Sequence, residues 1–381
     1  MERRTLPGSD YHDVAVYELE REQVFFRSWF IAGRADQAAE AGSWFTVDVV
    51  GESILVMRGN DGELRGFYNV CRHRGAVLRE EERGQERGAL ACTYHAWCYS
   101  FSGELVATPR VGKDEVDRSR HGLRTVHLDV WQGIVFVNLD ADPEPLLTWL
   151  DRTAPDLLAF DRYEIDTLVT YDVTEFVVEA NWKVLIENYL ECLHCPTVHP
   201  ELVDVIPAYK KGWVYEEGRT DGGVTALSRN YGPAGPSIAL LPSVTEEDAT
   251  SIYGSLIYPN GFLDIGGSGM VLSQLLPLGP SQTRLRSIYL FSRAAVEAPG
   301  FDPREIVEFS NLVTSQDNTV SERVQRGTAS RSFDDGGVYP DKDVYVWDFN
   351  EMYRAQRAGG QAAWPDERPD AGRPAFAPAS D

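Results

Sequence analysis

The feature that most restricts the fold is a pair of short segments that each hold one cysteine and one histidine. They read Cys71-Arg-His73 and Cys92-Thr-Tyr-His95, with the 18 residues 74–91 between them. Four ligating side chains that converge on one centre require the two segments to be neighbouring loops. Four of the seven histidines lie within four residues of one of the five cysteines, and this clustering indicates metal binding: His73, His95, His194 and His199.

The chain around these segments, residues 42–138, is predicted to be an all-β module. Short apolar and β-branched runs at 44–47, 53–57, 66–70 and 133–137 are typical of strands separated by turns. Gly59-Asn-Asp-Gly62 is a strong hairpin signal. The cysteine–histidine segments therefore fall on loops of a β module.

Two kinds of metal centre, structural zinc and a [2Fe–2S] cluster, could use these four residues as ligands. Zinc fingers usually place both cysteines in one pair and both histidines in the other. Here each loop supplies one of each, which suits a [2Fe–2S] cluster with both thiolates on one iron and both imidazoles on the other. Tyr94 and Trp97 are expected to shield the cluster or to hydrogen-bond to it. A Rieske-type cluster is favoured over structural zinc, and its predicted ligands are Cys71, His73, Cys92 and His95.

A second group of candidate ligands lies in the middle of the chain, on a predicted helix. Glu187, Glu191 and His194 are spaced by four and three residues, which places them on one helical face. His199 lies five residues beyond His194, so a continuous helix would rotate its side chain away by about 140°. Cys195-Pro196 predicts a bend that brings His199 back beside His194.

A carboxylate would complete this site. Two histidines and one carboxylate form the facial triad of non-haem iron oxygenases, with open positions for O₂. A helix is predicted to start at Asp302-Pro-Arg-Glu305, and Asp317 falls in its apolar stripe. A lone inward-facing carboxylate is costly unless a cation offsets its desolvation, so Asp317 is the predicted third ligand. The stripe comprises Ile306, Phe309, Val313, Val320 and Val324.

Other interpretations of the middle segment stay open. Cys192-x-x-Cys195 could be a redox pair, although no thioredoxin-like βαβ pattern surrounds it. Those cysteines could also bind zinc together with His194 and His199. Five aromatic residues could either line a pocket for a trimethylammonium group or pack in the core: Trp182, Tyr189, Tyr209, Trp213 and Tyr215.

Both groups of ligands resemble one known family. Residues 71–75 (Cys-Arg-His-Arg-Gly) and 92–97 (Cys-x-Tyr-His-x-Trp) resemble the Rieske domain of ring-hydroxylating oxygenase alpha subunits. Residues 187–200 resemble the family's mononuclear iron motif, and Gln316-Asp317 with Val324-Gln-Arg-Gly327 resembles its distal carboxylate helix. The resemblance implies an α+β fold: an N-terminal all-β Rieske [2Fe–2S] domain and a catalytic helix-grip (START-like) domain with an antiparallel sheet.

The resemblance also implies a mechanism. Mononuclear Fe(II) is expected on His194, His199 and Asp317, with electrons from NAD(P)H supplied through a separate flavin/iron–sulfur reductase. A residue three positions before the first iron histidine relays electrons from the cluster of a neighbouring subunit in a homotrimer or hexamer. Many aromatic-ring enzymes have aspartate there. Glu191 instead looks like the branch that acts on choline, glycine betaine and carnitine.

The expected function is therefore that of a Rieske-type oxygenase. It would use O₂ to hydroxylate or N-demethylate a small organic substrate, with a quaternary amine as one candidate class. The alternatives are an aromatic ring-hydroxylating dioxygenase and, outside enzymes, a Rieske electron carrier without a second iron site. A net charge of −23 argues against a nucleic-acid partner.

The protein is predicted to be cytoplasmic. The sequence contains no run of about eighteen apolar residues, so no membrane span is predicted, and no secretory signal is recognisable at the N-terminus.

The sequence also predicts four segments. They are a helical lead-in at 1–40, the Rieske domain at 41–150, the catalytic domain at 151–355 and a flexible tail at 356–381.

Overall fold

The computed structural model describes residues 4–112, 114–216, 223–227, 238–241, 243–246 and 249–364. The chain forms two compact units: Phe25–Leu146, and Met1–Val24 together with Leu147–Asp381. The first is all-β, and the second combines helices with an antiparallel sheet, so the predicted α+β fold class is confirmed. No helix in the described ranges is long and apolar enough to cross a membrane.

The part of the smaller unit that the structure describes has ten strands. They are β1 (Phe30–Arg34), β2 (Ser43–Val49), β3 (Glu52–Arg58), β4 (Leu64–Tyr68), β5 (Arg83–Gln85), β6 (Leu90–Ala91), β7 (Cys98–Tyr99), β8 (Leu105–Ala107), β9 (Thr125–Trp131) and β10 (Ile134–Asn138). One sheet has the order β1-β10-β9-β4-β3-β2-β5, and a second has the order β6-β7-β8. The predicted hairpin joins β3 to β4, with Gly62 at φ +85°, where a side chain would be strained.

In the described residues, the larger unit has eight α-helices and six strands. The helices are α1 (Val14–Gln23), α2 (Leu146–Thr153), α3 (Trp182–Tyr189), α4 (Cys195–Val198), α5 (Pro200–Val205), α6 (Arg293–Val296), α7 (Arg304–Thr328) and α8 (Val344–Arg357). The strands are β11 (Leu168–Val178), β12 (Val224–Thr225), β13 (Ser251–Ile257), β14 (Gly261–Ile265), β15 (Met270–Gly279) and β16 (Gln282–Ser292). They form one antiparallel sheet in the order β11-β16-β15-β14-β13-β12.

The predicted lead-in at 1–40 differs from what the structure shows. Helix α1 belongs to the larger unit, whereas β1 lies in the sheet of the smaller unit. The reason is that all five residues of β1 are buried and four of them pair with β10, so an apolar segment that was assigned to a helix becomes a strand. The predicted tail also starts too early, because α8 runs to Arg357 and Ala362 is buried. Residues 365–381 of that tail lie outside the described residues.

A buried ion pair explains why α1 belongs to the larger unit. The Glu20 carboxylate accepts hydrogen bonds from Lys183 Nζ and from the Tyr353 hydroxyl, each at 2.5 Å. Its second oxygen accepts from Trp182 Nε1 at 3.0 Å. The side chains of Glu20 and Lys183 are fully buried, and either charge alone would be costly to bury. These contacts therefore hold α1 against α3 and α8.

Replacing Glu20 by alanine should therefore destabilise the protein strongly. The Glu20→Ala variant leaves the Lys183 ammonium buried without its counter-ion, which costs about 3–5 kcal/mol. Urea unfolding followed by circular dichroism measures the loss. Glu22→Ala removes an exposed carboxylate from the same helix and should cost far less. Equal stability of the two variants would show that the ion pair does not hold α1 in place.

Candidate functional site

The two cysteine–histidine loops of the smaller unit have the same backbone structure. In each loop the cysteine N–H donates to the carbonyl oxygen five residues further on, at 2.8 Å. The residue four positions after the cysteine donates back to the cysteine carbonyl, from Gly75 to Cys71 at 3.1 Å and from Ala96 to Cys92 at 3.0 Å. Both of these residues have positive φ, +75° and +57°. Two equivalent turns thus present two equivalent pairs of ligands, as the sequence predicts.

The thiols and the imidazoles of these loops lie in different environments. Cys71 and Cys92 are buried in the core of the smaller unit, whereas His73 is exposed and His95 is half-buried. The two imidazole rings contact each other edge to face, with 4.6 Å between their centroids. Trp97 stacks on His73 at 4.6 Å, as its predicted shielding role requires. The arrangement fits a cluster whose thiolate iron is enclosed and whose imidazole iron faces outward.

Tyr99 is a contact of this centre that sequence reasoning missed. Its hydroxyl accepts a hydrogen bond from the Arg72 backbone N–H at 2.9 Å and lies 3.3 Å from Cys71 Sγ. A metal-bound thiolate has no proton, so in that state the tyrosine hydroxyl must donate to sulfur. The signal available in the sequence was its position directly after the second cysteine–histidine segment, two residues beyond Trp97.

The second group of predicted ligands converges in the larger unit. One ligand atom from each of His194, His199 and Asp317 lies within 4.8 Å of the other two. Asp317 Oδ1 is 2.8 Å from His199 Nε2 and 3.3 Å from His194 Nε2. Two imidazole nitrogens and one carboxylate at these separations are the donor set of a non-haem iron site.

The backbone reaches this geometry by a different path from the predicted helical face. Helix α3 ends before Glu191, so Glu187, Glu191 and His194 do not lie on one helix. Glu187 instead accepts hydrogen bonds from the Tyr11 hydroxyl at 2.8 Å and from Asn350 Nδ2 at 2.9 Å. Burial raises the pKa of the Glu187 carboxyl to about 7 despite these two hydrogen bonds.

The chain leaves the helical path before Pro196, not at the Cys195-Pro196 bond. The Glu191 carboxylate accepts hydrogen bonds from the backbone N–H groups of Leu193 and His194, which competes with continuation of the helix. Pro196 then lies in the first turn of α4, where a missing N–H is tolerated. His199 follows α4 with non-helical φ −122° and ψ 66°, and its ring centroid lies 5.1 Å from that of His194.

Both histidines are held in one tautomer. His194 Nδ1 donates to Glu191 Oε1 at 2.5 Å, and His199 Nδ1 donates to Gln316 Oε1 at 2.8 Å, because carboxylate and amide oxygens only accept. In the neutral, metal-binding form of each ring, the Nε2 lone pair is directed at the shared site; without a metal, Nε2 carries the proton of the hydrogen bond with Asp317. Asn188 Nδ2 approaches His194 Nε2 at 3.4 Å. Gln316 and Asn188 were given no role from the sequence. Such orienting partners are typical of metal-binding histidines.

The charges around this site favour a cation. Burial lowers the pKa of His194, but hydrogen bonds with Asp317 and Glu191 outweigh it and raise the pKa to about 9. Burial raises the pKa of Asp317, but its hydrogen bonds with the two histidines outweigh burial and hold the pKa below the usual value. The raised pKa of His194 reflects the negative potential of the two carboxylates, whereas the lowered pKa of Asp317 reflects the hydrogen bonds and positive charge of the two imidazoles.

Asp317 lies on a largely polar face of α7 and not in the apolar stripe that the sequence predicted. Val324, which was assigned to that stripe, is 43% exposed, and Val320 is only half-buried. The inward face of α7 around Asp317 is instead largely polar, and its members are Ser310, Thr314, Ser321 and Gln325. Asp317 therefore lies beside the two histidines as predicted, although the stripe from which it was predicted is partly wrong.

A cavity of about 260 Å³ in the larger unit contains the three ligands and Glu191 in its lining. Of the five aromatic residues considered from the sequence, Tyr189, Tyr209 and Tyr215 line this cavity. Trp182 is instead fully buried against Phe349 and Tyr353. The lining also includes Asp264, which sequence reasoning did not single out.

Cys192 and Cys195 form a disulfide with each other at the edge of the cavity. The zinc site that would combine both thiolates with His194 and His199 is therefore not the arrangement in this structure, since the sulfurs are already bonded.

Comparison with known proteins identifies the family. Residues 160–359 match the family described as ring hydroxylating alpha subunit (catalytic domain), and residues 28–127 match the Rieske [2Fe-2S] domain. The chain belongs to the ring-hydroxylating oxygenase alpha subunits. The predicted class, a Rieske-type oxygenase, is confirmed, and a Rieske electron carrier without a catalytic domain is set aside.

Several characterised relatives cover nearly the whole chain. The glycine betaine monooxygenase oxygenase subunit of Chromohalobacter salexigens is 30% identical over 384 residues, covering 92% of this chain and 85% of the relative. The carnitine monooxygenase oxygenase subunit of Acinetobacter pittii is 28% identical over 354 residues, covering 89% of each. A crystal structure of the quaternary ammonium Rieske monooxygenase CntA shares the fold, with a TM-score of 0.75 at 23% identity, covering 93% of this chain and 96% of the other.

Removing the Tyr99 hydroxyl should lower the reduction potential of the Rieske cluster. The Tyr99→Phe variant loses a hydrogen bond to a cluster thiolate. Because that loss favours the oxidised state over the reduced state, the potential should fall by an amount on the order of tens of mV. A redox titration followed by electron paramagnetic resonance (EPR) measures the shift. Tyr94→Phe, which removes an exposed hydroxyl near the same cluster, should leave the potential unchanged. Identical potentials in Tyr99→Phe and wild type would contradict the predicted hydrogen bond.

Proposed function

We propose that this chain is the oxygenase component of a monooxygenase that acts on a small quaternary amine and hydroxylates or N-demethylates it. The observation that supports this substrate class is the similarity, over 92% of the chain, to an oxygenase subunit named for glycine betaine. Relatives named for carnitine and choline lead to the same class. Glu191 is also the residue expected at its position in that branch. A naphthalene 1,2-dioxygenase shares the fold at 21% identity, which gives no support to an aromatic substrate.

The proposed ligands follow from the two groups of converging side chains. Cys71, His73, Cys92 and His95 would hold the [2Fe–2S] cluster, and His194, His199 and Asp317 would hold mononuclear Fe(II). When bound, the cluster supplies single electrons and the mononuclear iron activates dioxygen. The enclosed thiols suit the [2Fe–2S] cluster, and the two imidazoles with Nε2 directed at the shared site suit Fe(II).

The chain's own residues prepare the site in three ways. Glu191 holds the Nδ1 proton of His194, and Gln316 holds that of His199, so both rings keep one orientation. Asp317 contributes the negative charge. The apolar part of the cavity lining excludes water from the reacting carbon, and its members include Leu185, Leu202, Leu256 and Val313.

Glu191 has a second proposed role as the electron relay. Its carboxylate is hydrogen-bonded directly to a proposed iron ligand, so it forms a short connection from that ligand towards the cluster of a neighbouring subunit. We accordingly propose a homotrimer or hexamer of this chain, reduced by NAD(P)H through a separate flavin/iron–sulfur reductase. The relatives are named as oxygenase subunits, and work on CntA concerns inter-subunit electron transfer.

Removing the proposed carboxylate ligand should separate the two metal centres. The Asp317→Ala variant should lose mononuclear iron and keep the Rieske cluster, because the cysteine–histidine loops belong to the other unit. Iron analysis should fall from about three to about two per chain while the Rieske EPR signal stays. Loss of both centres would indicate misfolding, and retention of three irons would contradict ligation by Asp317.

The relay role predicts a kinetic defect without loss of metal. Glu191→Gln keeps an oxygen that can accept the His194 proton but removes the carboxylate charge. Electron transfer out of the reduced cluster should slow by about 10- to 100-fold, the range seen for residues that support metal ligands. Stopped-flow absorbance of the cluster in a single turnover gives the rate. A variant with both metals and unchanged, fully coupled turnover would rule out the relay.

The substrate class is tested by turnover with a surrogate reductase. Choline, glycine betaine and carnitine are compared with simple aromatic acids, and product formation is measured against O₂ consumption. At least one quaternary amine should give coupled oxidation, whereas the aromatic acids should give none. Coupled oxidation of aromatic acids alone would instead favour the aromatic dioxygenase alternative.

A further inference from the structure

Asp264 is a carboxylate in the cavity to which no role has been assigned. It lies on β14, is partly buried and lines the same cavity as the three proposed iron ligands. The Tyr189 hydroxyl donates a hydrogen bond to its Oδ1 at 2.9 Å. Within the described ranges, no lysine, arginine or histidine forms an ion pair with it, and burial raises the pKa of its carboxyl to about 7.

Two other enclosed carboxylates of the larger unit have partners that offset their charge. Glu20 has Lys183, and Asp317 has two histidines and the proposed iron. Among the described residues, the hydrogen-bond partner of Asp264 is a neutral hydroxyl, so its ionised form is left with a desolvation cost. A cation that enters the cavity would lower that cost, and the gain would appear as binding energy.

The described lining contains no lysine or arginine, and its carboxylates are Asp156, Glu191, Asp264 and Asp317. Its two histidines are proposed iron ligands, and an imidazole that binds a metal through its lone pair is neutral. Fe(II) at the proposed ligands would offset the charge of Asp317 and its neighbour Glu191. Asp264 would then remain as a negative charge that faces the substrate space.

The surroundings of Asp264 suit a cation without N–H groups. The Tyr189 ring stacks on Phe262 with 4.0 Å between centroids and 14° between planes, and both residues line the cavity. Tyr209 also lines it, and burial together with the charge of Asp264 raises the Tyr209 pKa. A quaternary ammonium cannot donate an N–H hydrogen bond, so a carboxylate and aromatic faces are the groups that recognise it.

We propose that Asp264 is the counter-ion for the ammonium group of the substrate, with Tyr189 as the residue that positions its carboxylate. Phe262 and Tyr209 form the aromatic wall beside it. This inference rests on the proposed function and gives it a specificity-determining residue: the cavity selects positive charge as well as shape.

The test compares a cation with an uncharged molecule of the same shape. Choline and 3,3-dimethyl-1-butanol differ in the central atom of the head group, which is N⁺ in one and carbon in the other. Glycine betaine and carnitine are measured alongside. Binding to the anaerobic holoenzyme is followed by isothermal titration calorimetry, so the readout does not depend on turnover.

Asp264→Asn is the informative variant because it keeps the size of the side chain and an oxygen that can accept from Tyr189. The tightest-binding amine should lose at least about tenfold in affinity, whereas binding of the uncharged alcohol should change by less than about threefold. Asp264→Glu should recover part of the lost affinity for the amine. Asp172→Asn removes an exposed carboxylate from β11 and should leave all affinities unchanged. Circular dichroism and the Rieske EPR signal verify that each variant is folded.

The outcomes distinguish this inference from the proposed function. Equal losses for the amine and the alcohol would mean that Asp264 shapes the cavity, and no loss for either would place the ammonium elsewhere. In both cases wild-type oxidation of a quaternary amine would leave the proposed function intact. If the wild-type protein neither bound nor oxidised any quaternary amine, the proposed substrate class and this inference would fall together.

Discussion

The structure of the larger unit depends on how the negative charges of two of its enclosed carboxylates are offset. Glu20 is offset by Lys183, and this pair ties the N-terminal helix to α3 and α8. Asp317 is offset by His194 and His199, and this contact brings the 25-residue helix α7 to the segment after α3. Because an uncompensated charge costs several kcal/mol, each contact specifies which elements must be neighbours.

The same requirement links the architecture to the chemistry. Three of the four carboxylates in the cavity lining differ in what neutralises them: Asp317 faces two imidazoles, Glu191 holds an imidazole proton, and Asp264 has a tyrosine hydroxyl. Under the proposed roles, this cavity would offer one place for a metal ion, one connection for electrons and one place for a substrate cation. The division of roles comes from the partners and not from the carboxylates themselves.

Much of the candidate site could be predicted from the sequence because its signals are local. The Cys71 and Cys92 loops are recognisable from spacing and residue type, and the strands beside them from short β-branched runs. Asp317 was found because a carboxylate on an inward-facing helix needs a cation. Tyr99, Gln316 and Asp264 were missed because their partners are distant in sequence or because their contacts depend on a neighbouring strand or helix.

Residue type and spacing by themselves determined the donor atoms of both centres, since only cysteine, histidine and carboxylate side chains in these groupings provide them. Tertiary structure alone decided the route by which they meet. Helix α3 ends before Glu191 because that carboxylate binds nearby backbone N–H groups, and β1 joins a sheet because its apolar residues are buried there. Both outcomes depend on the free energy of contacts that form only when the chain is folded, and local periodicity does not contain that information.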